Sequence, residues 1–119
     1  MTIEHNRWLV PDGIEDMLPT QAANIEHWRR TLLDLFHLWG YEQIMPPLVE
    51  FVDTLLTGKA TDLAVDTCQL VDQVSGRMMG IRSDLTTQVA RIDAHRLKSD
   101  LPVRLCYAGE VLRARPDQV

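Results

Sequence analysis

The sequence predicts an α+β chain, an antiparallel sheet with flanking helices around one small core. Three observations predict it. Apolar residues recur at helical spacing near the start and, more weakly, past the middle. The extended segments are divided by prolines and hairpin turns, not by the repeated helical crossings of a doubly wound parallel sheet. Finally, 119 residues that are 45% hydrophobic and 24% charged allow one core, since about 60 to 70% of the unfolded surface is buried at this size. The same composition excludes a disordered or low-complexity chain.

The first element is a helix from Thr20 to Trp39. Ile25, Trp28, Leu32, Leu35, Phe36 and Trp39 share one face, expected to be an ordinary core-facing stripe, while Glu26, Arg29, Arg30 and Asp34 line the other. Pro19 suits the first turn and Gly40 the position just past the end. Tyr41 to Met45 is a short strand stopped by Pro46-Pro47, because a proline pair cannot continue a hydrogen-bonded ladder. Leu48 to Phe51 resumes it, and a short helix follows around Val52 to Leu56. Residues 58–66 are small and polar, a loop by composition. Cys68 to Val74 and Met78 to Arg82 form two strands around a turn at Ser75-Gly76. A second helix runs from about Leu85 to Leu97 with Asp84 as its N-cap, and Pro102 opens a strand from Val103 to Leu112.

Charge and cysteines narrow the function classes. Seventeen acidic against twelve basic residues give a net charge of −5, the wrong sign for a non-specific nucleic-acid binder. No apolar run reaches the roughly 18 to 20 residues of a membrane span, and the amino terminus lacks a secretory signal; the expected setting is cytoplasmic. Cys68 and Cys106 have no C-x-x-C spacing and are expected to be reduced, partly buried thiols. The chain stops at Val119 in what reads as a turn after a strand. Residues 1–119 are therefore expected to be the first part of a larger domain, incomplete at the carboxyl end.

Signatures of catalysis are missing: no phosphate-cradling Gly-rich loop, no H-E-x-x-H, no nucleophile elbow, no calcium loop. His27 and His37 lie almost three helical turns apart, too far to share a metal, so neither a metal site nor a cofactor is expected. Two clusters remain. In Ile81-Arg82-Ser83-Asp84-Leu85-Thr86-Thr87-Gln88-Val89-Ala90-Arg91 a strand hands a carboxylate and two hydroxyls to a helix mouth. Asp84 there suits an ammonium group and Thr86 the rest of a small polar ligand; the plainer alternative is that Asp84 caps the helix and Thr86 satisfies a local amide. In Arg104-Leu105-Cys106-Tyr107-Ala108-Gly109-Glu110-Val111-Leu112-Arg113-Ala114-Arg115, Gly109 admits a close neighbour. Arg113 and Arg115 offer paired donors to a phosphate or carboxylate.

Together these clusters resemble the catalytic domain of class II aminoacyl-tRNA synthetases, in the histidyl branch. Gly40-Tyr41-Glu42-Gln43-Ile44-Met45-Pro46-Pro47-Leu48-Val49-Glu50 resembles the dimer-forming motif 1, and Tyr107-Ala108-Gly109-Glu110-Val111-Leu112-Arg113 the opening of motif 2. Ile81-Arg82-Ser83-Asp84-Leu85-Thr86 stands where histidyl-tRNA synthetases carry L-R-P-E-G-T. The resemblance spans nearly the whole chain from Leu9 onward. Two departures matter. Asp84 is one methylene shorter than the glutamate that holds the amino acid in a synthetase. Arg115 occupies the motif 2 glutamate position, where a guanidinium cannot accept the adenine-side hydrogen bonds of ATP, and adenylate formation depends on groups already in place around the nucleotide.

With these departures the sequence is most similar to the synthetase paralogues that act as regulatory subunits of ATP phosphoribosyltransferase, through R-x-D-L-T-x-Q-V-A-R-I-D-A, R-L-C-Y-A-G and Leu9-Val10-Pro11-Asp12-Gly13-Ile14-Glu15-Asp16. That resemblance implies a non-catalytic protein with no cofactor. It implies self-association through the motif 1 region and assembly with the short-form catalytic subunit of the phosphoribosyltransferase. That subunit performs the first step of histidine biosynthesis, with histidine as feedback effector. It also implies that Asp84 and Thr86 hold the ammonium end of histidine and that Arg113, at the motif 2 arginine that in a synthetase faces the α-phosphate and carboxylate region, belongs to the same site; the imidazole-reading residues would lie beyond Val119. The alternative is a histidyl-tRNA synthetase fragment, catalysing ATP-dependent aminoacylation of tRNA.

Overall fold

The computed structural model describes residues 8–55 and 66–114. Helix α1 spans Pro19–Leu38. It has no side-chain N-cap; Pro19 opens it with a φ already suited to a helix and no amide to leave unpaired. Its end is built more fully. Gly40 N–H donates to His37 O at 3.0 Å and Tyr41 N–H to Phe36 O at 3.0 Å. Gly40 takes φ +84°, and the Phe36 and Tyr41 rings meet at 6.0 Å. Two carbonyl-satisfying bonds, a left-handed glycine and an apolar contact across them make a complete Schellman stop.

The chain then runs through β1 (Glu42–Gln43), β2 (Val49–Phe51), the single turn α2 (Val52–Leu55), β3 (Cys68–Val71) and β4 (Met78–Ile81). Helix α3 (Thr86–Ile92) widens into a π-helical turn over Asp93–Leu97, ended by a left-handed Lys98. Strand β5 is Leu105–Cys106. Strands β2, β4 and β3 form an antiparallel sheet in that order, with Glu50 and Gln69 both opposite Gly80. The β3–β4 turn closes through Asp72, whose carboxylate accepts from Val74 N–H at 3.1 Å and Ser75 Oγ at 2.6 Å. These bonds hold the Asp72 carboxyl below the ordinary aspartate range, the serine hydroxyl most strongly and the Val74 amide next.

The α+β architecture with an antiparallel sheet is the expected one, with an addition: β1 and β5 pair in parallel, Glu42 opposite Leu105 and Gln43 opposite Cys106. Several expected boundaries move. The strand expected over Val103 to Leu112 keeps ladder partners only at Leu105–Cys106. Its partner β1 ends before Pro46-Pro47, and beyond Cys106 the chain is held by isolated bonds, the Arg82 side chain to Glu110 O and the Leu112 amide to Arg82 O, and not by a ladder. The strand expected to reach Val74 gives way to the Asp72 turn. The loop expected at residues 58–66 lies, but for Asp66, outside the described residues, as does Leu56.

The larger correction concerns α1. Its apolar stripe was expected to be core, yet Trp28 is 62% exposed, Trp39 70%, and Leu33 is the buried residue of the helix. Among the described residues the buried hydrophobic ones are Leu33, Leu55, Leu85 and Cys106. The stripe has helical periodicity, as the sequence required, but periodicity says which residues share a face and not what covers it. Both cysteines are free, Cys106 buried and Cys68 half-buried.

Candidate functional site

The site begins where β4 ends. Arg82 and Ser83 are buried, and the chain surfaces at Asp84 before entering α3. The residue flanking the helix is Leu85, with no cap of its own. Asp84 caps from one position further out: its Oδ1 accepts from Thr86 N–H at 3.2 Å and lies 3.3 Å from Thr86 Oγ1. The expected N-cap role is thus displaced by one residue. Thr86 Oγ1 also lies 3.1 Å from the Tyr107 hydroxyl, which ties the helix mouth to the chain just past β5. Asp84, Thr86 and Tyr107 therefore form one hydrogen-bonded group. Asp84 and Thr86 are exposed and Tyr107 half-buried, as a site for a small polar ligand requires. One carboxylate and two hydroxyls can accept the three protons of an ammonium group.

Arg113, the third expected site residue, is exposed. Its backbone is placed by the neighbours on either side. Leu112 N–H donates to Arg82 O at 3.0 Å, and Ala114 N–H to Asp66 O at 2.7 Å. Pairing of Leu112 with Arg82 sets Arg113 one residue beyond the strand end that carries Asp84 two residues on. Arg115, the residue in the motif 2 glutamate position, lies outside the described residues.

A buried polar frame supports this group. The Arg82 side chain donates from Nε to Glu110 O at 2.7 Å and from Nη1 to Pro46 O at 2.9 Å. Gln88, 1% exposed, donates its amide to Pro47 O and, at 3.1 Å, to Glu50 Oε2. Glu50 in turn meets Arg91 at 2.5 Å, with the two side chains 9% and 24% exposed. Both prolines thus have their carbonyls taken by side chains from the β4–α3 segment. Sequence reasoning missed the roles of Tyr107, Arg82, Gln88 and Glu50, since their partners lie 21 to 41 residues away. The one sequence signal was Gly109, expected to admit a close neighbour; that neighbour is Arg82. Among the described residues no three His, Cys, Asp or Glu side chains are grouped to hold a metal, and no helix is long and apolar enough to cross a membrane.

A helix leading into a short strand and proline pair, that strand paired in parallel with β5, and an antiparallel sheet beside it define a class II aminoacyl-tRNA synthetase type of domain. The family model for histidyl-tRNA synthetase matches residues 13–119, and the chain belongs to that family. It is similar to proteins named ATP phosphoribosyltransferase regulatory subunit. Those of Thioalkalivibrio sulfidiphilus and Alkalilimnicola ehrlichii are each 57% identical over 114 residues, 96% of this chain. The chain spans 29% and 28% of their respective lengths. Among solved structures it resembles an ATP phosphoribosyltransferase regulatory subunit/histidyl-tRNA synthetase from Bacillus halodurans. There the TM-score is 0.79 at 30% identity, over 92% of this chain and 28% of that one. The apo histidyl-tRNA synthetase of S. aureus shares the fold at TM-score 0.68 and 22% identity, over 83% of this chain and 24% of that one.

Proposed function

We propose that this chain is the amino-terminal part of a class II synthetase-like domain in a regulatory subunit of ATP phosphoribosyltransferase, and that it carries no aminoacylation activity. The observation that carries this reading is the 57% identity, over 96% of the chain, to proteins bearing that name. The site's chemistry agrees with it. Asp84, Thr86 and Tyr107 can receive an ammonium group, with Arg113 facing the carboxylate of the same amino acid. In place of the carboxylate that a synthetase aims at adenine, the sequence has Arg115. A pocket of this kind retains an amino acid without activating it.

The function follows from linkage. The subunit assembles with the short-form catalytic subunit, which needs it for the first step of histidine biosynthesis. Histidine bound at Asp84, Thr86 and Arg113 shifts the assembly toward an inhibited state, in proportion to its differential affinity for the two states. The exposed apolar stripe of α1, the helix that leads directly into the motif 1 segment at Gly40, supports self-association through that region.

Co-purification of the full-length protein with a short-form phosphoribosyltransferase tests the partner, and ATP–pyrophosphate exchange with histidine tests the chemistry. Complex formation without exchange is the expected result. Robust exchange would favour the second reading, a histidyl-tRNA synthetase, for which the family match and the double description of the Bacillus halodurans structure speak.

A further inference from the structure

Arg82 is 7% exposed, yet among the described residues the partners of its guanidinium are backbone carbonyls: Glu110 O at 2.7 Å and Pro46 O at 2.9 Å. Its own backbone joins the same two segments, its N–H to Leu48 O at 3.1 Å and its O from Leu112 N–H at 3.0 Å. One residue thus bridges the proline linker after β1 and the segment leading to Arg113, each of them twice. Asp84 follows two positions later. Gly109 completes the arrangement: a Cβ there would stand 2.5 Å from Arg82 Nη2, 3.3 Å from its Cζ and 3.3 Å from Leu85 Cδ2. A free side-chain end would step aside; this one is held at two nitrogens by backbone carbonyls.

We propose that Arg82 is the positioning residue of the amino-acid site, its guanidinium fixing the distance between Asp84 and Arg113 by clamping Glu110 O to Pro46 O, with Gly109 kept free of a side chain to admit it. This rests on the reading of Asp84, Thr86 and Arg113 as that site. Only a planar fork reaches two carbonyls in divergent directions; a lysine keeps the charge and loses the span. The clamp also offsets the burial of the cation, since two peptide oxygens replace part of its water.

The test uses the full-length protein and two readouts, histidine calorimetry and amide hydrogen exchange, on Arg82→Lys, Gly109→Ala and the double variant. Arg82→Lys weakens histidine about tenfold or more, the loss of one to two charge-assisted bonds. Gly109→Ala weakens it comparably, and the double variant binds no worse than Arg82→Lys, because both remove the same clamp. The Leu112 amide loses about tenfold or more of its exchange protection in Arg82→Lys while the amides of the β3–β4 hairpin keep theirs. Affinity within about twofold of wild type in Arg82→Lys, or independent losses that multiply in the double variant, overturns the proposal. If the wild-type protein takes up no histidine, the site reading fails. The clamp is then decided by exchange: unchanged Leu112 protection in Arg82→Lys rejects it. Should Arg82→Lys unfold, folded Gly109→Ala with wild-type Leu112 protection rejects it as well.

Discussion

Helix α1 and the junction between β4 and α3 are built on opposite plans. In α1 nearly everything is local. Pro19 starts it, the bonds of Gly40 and Tyr41 stop it, and i,i+3 and i,i+4 pairs from Glu26 to Arg29 and Arg30 decorate it, yet its apolar stripe stays open to solvent. At the junction almost nothing is local. Gln88 reaches Pro47 and Glu50, Arg82 reaches Pro46 and Glu110, and Arg91 reaches Glu50. A helix can be specified by its own sequence and remain unfinished as packing. A site can be well packed while its sequence says little about its partners. Disrupting each region should therefore fail differently: the junction by loss of stability, α1 by loss of association.

The largest effect is expected at Glu50. Glu50→Ala strips an acceptor from both Arg91 and Gln88 and leaves their donors stranded. The loss should be about 2 to 4 kcal/mol in urea unfolding, the range for breaking a mostly buried pair. Leu55→Ala comes next, at about 2 to 3 kcal/mol by the same measurement, toward the lower end for a core leucine because this core is small. Gly40→Ala, which forces a Cβ into a left-handed turn, should cost about 1 to 2 kcal/mol. Trp28→Ser inverts the pattern: its stability change stays within about 0.5 kcal/mol for an exposed position, while sedimentation of the full-length protein shifts toward the monomer. An equal loss of stability at Trp28 and Glu50 would erase the distinction.

The smallest effect lies in the hairpin turn. Asp72 titrates lower in the folded chain than its ordinary 3.8, so its bonds to Ser75 and Val74 add stability that is fully present above that value. That stability is lost as pH falls through the lower folded value. Hydrogen exchange at the Val74 amide should accelerate on acidification below about 4 in wild type and be insensitive to pH there, beyond the intrinsic rate, in Asp72→Ala.

What the sequence made legible follows the same division. The α1 helix, its proline start, its glycine stop, the proline break after β1 and the β3–β4 hairpin are all written in short-range chemistry, and the structure places each within a few residues of expectation. The helical period also identified the stripe of Trp28, Leu32 and Leu35, while giving no information about its cover. At the candidate site, the local pairing of Asp84 with Thr86 was legible because a carboxylate and hydroxyl at a helix mouth have recognisable local uses. Tyr107 lies within the motif 2-like stretch, and its bond to Thr86 depends on a parallel pairing that no local pattern encodes. Gln88 has no local feature that marks it; its amide is taken up by Pro47 O, 41 residues earlier in the chain.

The most direct test of the central claim is the rate of phosphoribosyl transfer by a short-form catalytic subunit, measured with and without the full-length protein and across a histidine titration. The full-length protein should raise the rate and histidine should then lower it, with the inhibition weakened in Asp84→Ala. A rate indifferent to the protein, or stimulated but untouched by histidine, would contradict it.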